Sequence, residues 1–387
     1  MEVEGAGRGE HRLIAYAGAR RGCGIVDLRA PPQAPPKAPR AAPPALTAFE
    51  AEVLPGLEPF AAAELRALRG VREPRAAAGA VRFAFAGPWA ALHALRTVVA
   101  VYAVVPFAVP RPKALLGHEH LTRLLAAIAA VRRGAPAGER FASFRLGAAG
   151  EGSSVLMRLA ETLARETGLA FEPETGELLL RLRRAPHQEG WEALLRLTPR
   201  PLSARRWRVC NLPGGLNAGV AAAMLALAEV RASDRLLNAM CGSGTLAIEQ
   251  ALTLPPARLL ACDTSAAALA CTRDNARAAG VTLELLQADA TALPLPDASV
   301  SVVVADPPWG DAVGTHGRNR ALYPAFLLEA ARVTAPGGRL VILTHELRLF
   351  DEVLAQPAVR ARWDSVRSVQ VFHGGHRPRL WLLRRLA

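Results

Sequence analysis

The tetrapeptide Asp306-Pro307-Pro308-Trp309 contains residue types that could bind an amino group and position it for reaction. It follows an apolar run, residues 300–305, which predicts a buried strand. A carboxylate and a nearby backbone carbonyl can accept the two N–H bonds of an amine on a conjugated ring and so favour a localised lone pair. An aromatic side chain beside them can stack on the ring. Taken alone, however, Asp-Pro-Pro is more simply a rigid turn with a capping aspartate.

A glycine-containing turn is the second candidate for chemistry. The run RLLNAMCGSGTLAIEQ, residues 235–250, predicts a strand, a turn and a helix. Gly242 and Gly244 allow a tight turn and let a ligand approach the backbone closely. The helix that follows offers free backbone N–H groups at its start. So short a motif also occurs as a bare glycine turn, so its meaning depends on what surrounds it.

Two aspartates follow the turn at informative positions. Asp263 ends the next predicted strand, 19 residues beyond Gly244, where an acid can bind ribose hydroxyls. Asp289, in the sequence QADAT, ends the third predicted strand. Each could separately be a helix-cap or turn aspartate. Because the carboxyl ends of parallel strands share one edge of a sheet, the turn and the two acids together predict a nucleoside-cofactor site.

The elements that must position these residues alternate regularly from residue 217 onward. This alternation predicts an α/β fold with a mostly parallel seven-stranded sheet covered on both faces and a hairpin-like pair at its end. The predicted strands are 235–239, 258–262, 282–286, 300–305, 339–344, 368–372 and 380–383. The predicted helices are 218–230, 245–251, 266–279 and 323–333.

The first 200 residues predict a different organisation. Residues 31–44 contain seven prolines in fourteen positions and predict an extended tether. Two small α+β units are expected after it. Their predicted helices are 57–68, 90–97, 121–132 and 154–167. Their predicted strands are one that begins near residue 49, before the Pro-Gly break, and 81–85, 98–105, 140–146 and 177–183. The predicted division is a disordered extension (1–46), two α+β domains (47–114 and 115–198) and a catalytic domain (199–387) that begins with a linker segment (199–216).

The composition is basic, with 47 Lys and Arg against 34 Asp and Glu and a formal charge of +13. Lys37 and Lys113 are the only lysines, so nearly all of the basic residues are arginine. Such a bias in composition can by itself produce much of the positive charge. An anionic partner and a solvated surface are both consistent with it. Arg181 and Arg183 could likewise contact phosphate or protect an edge strand. The excess is larger in the first 200 residues than in the rest.

The cysteines and the apolar runs suggest where the protein works. Five cysteines without a Cys-x-x-Cys pair indicate neither a disulfide framework nor a zinc site, and they fit a reducing compartment. No apolar run has the length of a membrane span, and the N-terminus lacks the pattern of a secretion signal. We therefore expect a cytoplasmic monomer that has no membrane contact and binds no metal. His373 and His376 flank two glycines and indicate a turn rather than metal ligands.

The motifs together resemble a known family. CGSGT (241–245), the spaced acids and DPPW resemble the Rossmann-like S-adenosylmethionine-dependent methyltransferases that act on exocyclic amines. The run RPLSARRWRVCNLPGGLNAGVAAAM (200–224) narrows the resemblance to the THUMP-domain tRNA guanosine-N2 methyltransferases. It is specific in 200–310 and mostly architectural before residue 200. It implies a ferredoxin-like domain and a THUMP RNA-binding domain in the two α+β units, and a guanosine of tRNA, in the acceptor stem, as the substrate.

The resemblance also implies roles by position. Asp306 and Pro307 would hold the target amine, and Trp309 would lie against the base. The family commonly has an acid where this chain has Asn238, so the attraction to the ammonium of the cofactor is reduced and weaker cofactor binding is expected. Asp263 would bind the ribose and Asp289 the adenine amine. The residues implied to bind S-adenosylmethionine are Asn238, Cys241, Gly242, Ser243, Gly244, Thr245, Asp263, Asp289 and Ala290.

Other functions remain open at the level of the sequence. DPPW also serves rRNA guanosine-N2 methyltransferases and DNA adenine or cytosine amino-methyltransferases, although a basic N-terminal module favours structured RNA. A non-catalytic RNA-binding protein with a degenerate methyltransferase domain is the rival that Asn238 motivates. A nicotinamide-dependent oxidoreductase is disfavoured, because the turn lacks a complete G-x-G-x-x-G and DPPW would have no role.

Overall fold

The computed structural model describes residues 47–149, 152–186, 188–309, 316–373 and 375–387. The predicted extension, residues 1–46, lies outside them. Two sheets organise this part of the chain, one of eight strands and one of seven.

The eight-stranded sheet has the order β2-β3-β1-β4-β8-β7-β5-β6. It runs through both predicted α+β domains, whose boundaries and THUMP assignment remain a prediction. Its strands are β1 (Thr47–Glu52), β2 (Val71–Ala77), β3 (Ala80–Phe85), β4 (Ala100–Phe107), β5 (Ser143–Ala148), β6 (Ala170–Phe171), β7 (Leu178–Arg184) and β8 (Trp191–Arg196). The helices among them are α1 (Glu58–Ala67), α2 (His118–Arg133) and α3 (Ser154–Thr167).

Several elements of the N-terminal region differ from the sequence prediction, among them the two-residue strand β6, which was not predicted. The segment predicted as a helix over 90–97 is a short 3-10 helix, Trp89–Ala94. Strand β2 was not predicted because it is an exposed edge strand containing Pro74 and shows no apolar alternation. Strand β8 was also missed. Five of its six residues are buried, so it lacks the alternation of a half-buried strand.

The two faces of the sheet have different surroundings. Side chains of α1, α2 and α3 join the apolar residues of one face in a single core cluster. On the other face Arg181 donates to Glu52 at 3.1 Å, and Arg183 donates to Glu192 at 2.7 Å and also to Glu50. Strand β7 lies between β8 and β5, so protection of an edge strand was the wrong interpretation of these arginines. Internal acids already neutralise much of their charge.

The seven-stranded sheet has the order β11-β10-β9-β12-β13-β15-β14, in which β15 runs antiparallel to both of its neighbours and the other pairings are parallel. This confirms the predicted Rossmann-like fold class. Its strands are β9 (Arg235–Ala239), β10 (Arg258–Asp263), β11 (Glu284–Gln287), β12 (Val300–Ala305), β13 (Thr334–Thr344), β14 (Trp363–Gln370) and β15 (Arg379–Arg385). The helices are α4 (Ala218–Ala228), α5 (Thr245–Thr253), α6 (Ala266–Ala279), α7 (His316–Val333), α8 (Leu347–Ala355) and α9 (Pro357–Arg360).

The N-terminal region packs directly on the seven-stranded sheet. The backbone N–H of Phe372, just after β14, donates to the carbonyl of Pro55 at 2.8 Å. Gly56 lies so close to β14 that a Cβ there would stand 2.2 Å from the carbonyl oxygen of Gln370. Both contacts are made by backbone atoms, which fixes the separation of the two chain segments.

No helix in the described part of the chain is long and apolar enough to cross a membrane.

Candidate active site

The tetrapeptide DPPW lies where β12 ends, at the edge reached by the carboxyl ends of the parallel strands. The indole N–H of Trp309 donates to Oδ1 of Asp306 at 3.1 Å. The hydroxyl of Tyr323, on α7, donates to the carbonyl of Pro308 at 3.2 Å and lies 2.8 Å from Oγ1 of Thr344. The sequence did not single out Tyr323, because nothing in the local pattern shows that α7 packs beneath the turn.

The carboxyl of Asp306 is partly buried. Burial raises the pKa of Asp306 to about 7. The hydrogen bond from Trp309 opposes part of this rise, because it stabilises the charged carboxylate. Near neutral pH the group is thus divided between its acid and its carboxylate. It can accept hydrogen bonds as the ion, and it can hold a proton without much free-energy change.

Three imidazole rings surround the indole of Trp309. Its ring centroid lies 5.1 Å from that of His345, 6.2 Å from His373 and 6.1 Å from His376, all in edge-to-face geometry. Burial lowers the pKa of His373, helped by the charges of His376 and Arg208, and so favours a neutral ring. Within the described residues no group of three or more His, Cys, Asp or Glu side chains could hold a metal ion. The three histidines pack edge-to-face around the indole of Trp309.

The glycine turn connects β9 to α5 as predicted. Gly242 and Gly244 have φ values of +54° and +81°, a region that disfavours residues with a Cβ. A Cβ at Gly242 would meet no atom of the described residues within 4 Å, so this side of the turn is open with respect to them. A Cβ at Gly244 would lie 2.6 Å from Cγ2 of Thr272 on α6. One glycine thus leaves room for a ligand, and the other permits close packing of α6.

Gly244→Ala is expected to destabilise the protein by about 1–3 kcal/mol, because the left-handed backbone and the contact with Thr272 both oppose the new methyl group. Gly280→Ala is the matched control, since Gly280 also has positive φ (+69°) but its Cβ would meet nothing within 4 Å. Urea unfolding measures both. Thr272→Ser should partly rescue Gly244→Ala, and equal losses for the two alanine variants would contradict the packing argument.

The two strand-terminal acids have different surroundings. The carboxylate of Asp263 accepts the N–H of Gly242 at 2.9 Å and that of Ser265 at 3.0 Å, so it fixes the glycine turn. Asp289 is exposed, and its Oδ1 accepts the N–H and the hydroxyl of Thr291 at 2.8 and 2.7 Å. Ala290 beside it is buried. Both acids lie at the predicted edge, and each also makes the local hydrogen bonds of a turn.

Asn238 fits a ligand bearing an N–H group. It is buried on β9, and its Nδ2 donates to the carbonyls of Ala239 and Val304, each at 3.3 Å. Its Oδ1 is buried and has no hydrogen-bond partner among the described residues. A buried acceptor without a donor is unfavourable, so the side chain is suited to an N–H or ammonium group brought by a ligand.

The remaining turn residues are mainly enclosed. Ser243 and Thr245 are buried, with their hydroxyl oxygens 3.5 Å apart. Burial raises the pKa of Cys241 to about 12, and its thiol lies 3.7 Å from the hydroxyl of Thr272. The thiol therefore stays protonated at neutral pH and is unsuited to act as a nucleophile.

A disulfide joins the linker segment to α6, so the prediction of no disulfide was wrong, and the cysteines do not support the expected reducing compartment. It connects Cys210 to Cys271, 61 residues apart in sequence. Asn275, one helical turn after Cys271, accepts the N–H groups of Val209 and Cys210 at 2.9 Å and donates to the carbonyl of Ser243 at 3.0 Å. Cys271 and Asn275 lie four residues apart on the predicted helix, which places them on the same face of α6. Its partner segment could not be identified from sequence.

Cys210→Ser is expected to lower the free energy of unfolding of the oxidised protein by about 2–4 kcal/mol, because the disulfide restricts the unfolded chain. Unfolding under oxidising conditions measures this loss. With dithiothreitol the wild type and the variant should have similar stability. A difference that persists after reduction would show that packing, and not the cross-link, stabilises this segment.

The fold and the site define a class of protein, a Rossmann-like methyltransferase. Residues 205–379 match the family described as UPF0020: RMKL-like, methyltransferase domain. The crystal structure of TrmN from Thermus thermophilus has the same fold, with a TM-score of 0.68 and 28% sequence identity, and the match covers 88% of this chain and 100% of that one.

Curated relatives identify the family more closely. The tRNA (guanine(6)-N2)-methyltransferase of Thermus thermophilus is 33% identical over 347 residues, which cover 87% of this chain and 99% of that protein. The tRNA (guanine(6)-N(2))-methyltransferase THUMP3 of Mus musculus is 33% identical over 189 residues, 45% of this chain and 37% of that protein. The chain therefore belongs to the tRNA guanine-N2-methyltransferase family and is a methyl-transferring enzyme, as the sequence motifs predicted.

Proposed function

We propose that this enzyme methylates N2 of a guanosine in tRNA with S-adenosylmethionine as the methyl donor. The names of the relatives from Thermus and mouse support guanosine 6, in the acceptor stem, as the target. The proposal requires a site for a conjugated amine and, beside it, a site for a nucleoside cofactor. DPPW and the glycine turn supply the residues for both.

The observation that carries the proposal is the bond from the Trp309 indole to Asp306. The N–H of a conjugated ring already donates to this partly buried carboxyl, at 3.1 Å. The N2 amine of guanine is also an N–H group on a conjugated ring. The carboxyl is thus suited to the donor that the reaction requires, and its second oxygen provides further acceptor capacity. Trp309 would contact the base once the amine replaces the indole N–H at Asp306.

The residues act mainly by binding and orientation. When bound, S-adenosylmethionine supplies an electrophilic methyl group on a positively charged sulfur. Asp306 and the carbonyl of Pro307 accept hydrogen bonds from the two N–H groups of the amine. These bonds direct the lone pair of the amine toward that methyl group. The bound donor would give this methyl group to N2 and would leave as S-adenosylhomocysteine. The amine then loses one proton, which a carboxylate with a pKa of about 7 can hold.

The cofactor would lie along the edge formed by the turn and the strand ends. Gly242 leaves space for its methionine part, and Asn238 provides an acceptor for its ammonium. Asp263 would bind the ribose, and Asp289 with Ala290 would bind the adenine. The protonated thiol of Cys241 would contribute packing alone. We further propose that the enzyme acts as a cytoplasmic monomer without a metal.

The direct test is nucleoside mapping after reaction. The full chain is incubated with an unmodified tRNA transcript and methyl-labelled S-adenosylmethionine, and the digested RNA is analysed by mass spectrometry. N2-methylguanosine is expected, and a transcript with adenosine at position 6 should remain unlabelled. Label found only in an rRNA fragment or a DNA duplex would identify a different amino-methyltransferase. If S-adenosylhomocysteine does not bind in calorimetry, the non-catalytic alternative is favoured.

A further inference from the structure

Arg208, in the linker segment, is anchored beside the glycine turn. One terminal nitrogen of its guanidinium donates to Oγ1 of Thr245 at 2.8 Å and to the carbonyl of Leu216 at 2.7 Å. Thr245 is the first residue of α5 and follows Gly244 directly. These contacts place the side chain between the start of α5 and the segment that leads into α4. Arg208 is thus held where the turn meets its helix.

The guanidinium of Arg208 carries a partly buried charge and forms no ion pair with an acid among the described residues. Its Nε is buried and has no hydrogen-bond partner in the described part of the chain. Burial lowers the pKa of Arg208, although a guanidinium keeps its charge at neutral pH. Glu249 is the acid that acts on it, but both oxygens of Glu249 accept bonds from Arg96 and Arg205 instead. A partly buried cation with a spare donor favours binding of an anion.

A second buried atom beside the same turn has the opposite requirement. Oδ1 of Asn238, near the end of β9, is an acceptor without a donor among the residues that the structure describes. The turn therefore has a spare buried donor from Arg208 after it and a spare buried acceptor from Asn238 before it. The open space at Gly242 lies in the same turn. An α-amino acid group brings the matching pair, a carboxylate for the donor and an ammonium for the acceptor.

We propose that Arg208 binds the α-carboxylate of the amino acid part of the cofactor. The inference rests on the proposed function, because it requires S-adenosylmethionine or its product to occupy the turn. It assigns a residue that lies outside the glycine turn and precedes α4. It also explains how the chain can bind the zwitterionic amino acid group of the cofactor although residue 238 is a neutral amide. The electrostatic attraction is then between Arg208 and the carboxylate.

The test compares ligands with and without the amino acid part. Binding of S-adenosylhomocysteine and of 5′-methylthioadenosine, which lacks that part, is measured by calorimetry for the wild type, Arg208→Gln and Arg206→Gln. Arg206 is the matched control, because its side chain is 55% exposed and pairs with Glu139. Arg208→Gln should weaken S-adenosylhomocysteine about 10- to 100-fold and leave 5′-methylthioadenosine unchanged, while Arg206→Gln changes neither.

Other outcomes separate the possible errors. If Arg208→Gln weakens both ligands equally, or neither, Arg208 supports the turn without binding the carboxylate and the inference fails. A decarboxylated S-adenosylhomocysteine tested on the wild type avoids any folding defect of the variant. It should bind about 10- to 100-fold more weakly than S-adenosylhomocysteine, and equal affinity would overturn the inference. If no adenosyl ligand binds the wild type, the proposed cofactor itself is wrong.

Discussion

Asp306→Asn is expected to lower the rate of methyl transfer at least about 100-fold and to leave S-adenosylhomocysteine binding nearly unchanged. The amide cannot accept bonds at both atoms as the carboxylate does, and it cannot hold the proton that the amine releases. Single-turnover transfer to tRNA and calorimetry measure the two quantities. Asp351→Asn, an exposed position on α8, is the control. Full activity of Asp306→Asn would refute the assignment of DPPW as the amine site.

The raised pKa of Asp306 adds two pH signatures to this prediction. The carboxylate is the form that accepts the amine, so the wild-type rate should rise with pH through about 7. The folded chain binds this proton more tightly than the unfolded chain, whose carboxyl keeps a value near 3.8. Stability should therefore fall as pH rises from about 4 to about 7. Asp306→Asn should lack this fall and unfold at a higher temperature than the wild type at pH 8. A variant less stable than the wild type there would contradict the burial argument.

Glu249→Ala is expected to destabilise the protein by about 3–5 kcal/mol. Glu249, on α5, is fully buried and accepts hydrogen bonds from Arg96 and Arg205, each with a shortest distance of 2.8 Å. Arg96 belongs to the N-terminal region and Arg205 to the linker segment, so this one acid connects three parts of the chain. Removing it leaves two adjacent guanidinium groups without their shared anion. Urea unfolding of the whole chain measures the loss.

Glu284→Gln is the control for this experiment. Glu284 pairs with Arg258 at 2.7 Å, but both side chains are about half exposed, 53% and 48%. Because solvent screens such a pair, its loss should change stability by less than about 1 kcal/mol. A Glu249→Ala loss as small as that of Glu284→Gln would show that the buried triad does not join the N-terminal region to the catalytic domain.

The connection through Glu249 is relevant to the proposed RNA substrate. The N-terminal region is also fixed against β14 by the bond from Phe372 to Pro55, close to His373 beside Trp309. Two separate attachments, one at α5 and one at the terminal hairpin, hold it at a set position relative to DPPW. An RNA bound by that region would meet DPPW at a fixed distance. Such an arrangement favours selection of the nucleotide by position along a helix.

The sequence predicted best those elements whose pattern repeats locally. The strands β9, β10 and β12 and the helix α6 were expected within a few residues of their observed bounds, because buried apolar runs and the caps at Ser265 and Gly280 are short-range signals. The exposed strand β2 and the buried strand β8 lacked such signals. Their places are decided by neighbouring strands that are distant in sequence.

The site shows the same division. Glycines at 242 and 244, acids that follow strands, and DPPW after β12 were recognisable because each depends on a few consecutive residues. The residues that complete the site belong to other elements: Tyr323 beneath Pro308, Thr272 against Gly244, and the three histidines around Trp309. His373 and His376 were noticed in the sequence, but only as part of a turn. No local pattern shows that any of these side chains packs at the candidate site, because their contacts cross the sheet edge.

By itself the sequence determined the alternation of most strands and helices after residue 217, the edge of the sheet at which the candidate site is predicted, and the family resemblance. These follow from hydrophobic periodicity and from motifs of adjacent residues, which the chain carries however it folds. Only the tertiary structure decided that Cys210 is joined to Cys271, that Arg183 pairs with Glu192, and that the carboxyl of Asp306 is buried enough to raise its pKa. Each of these properties depends on which distant groups surround an atom, and packing alone sets those neighbours.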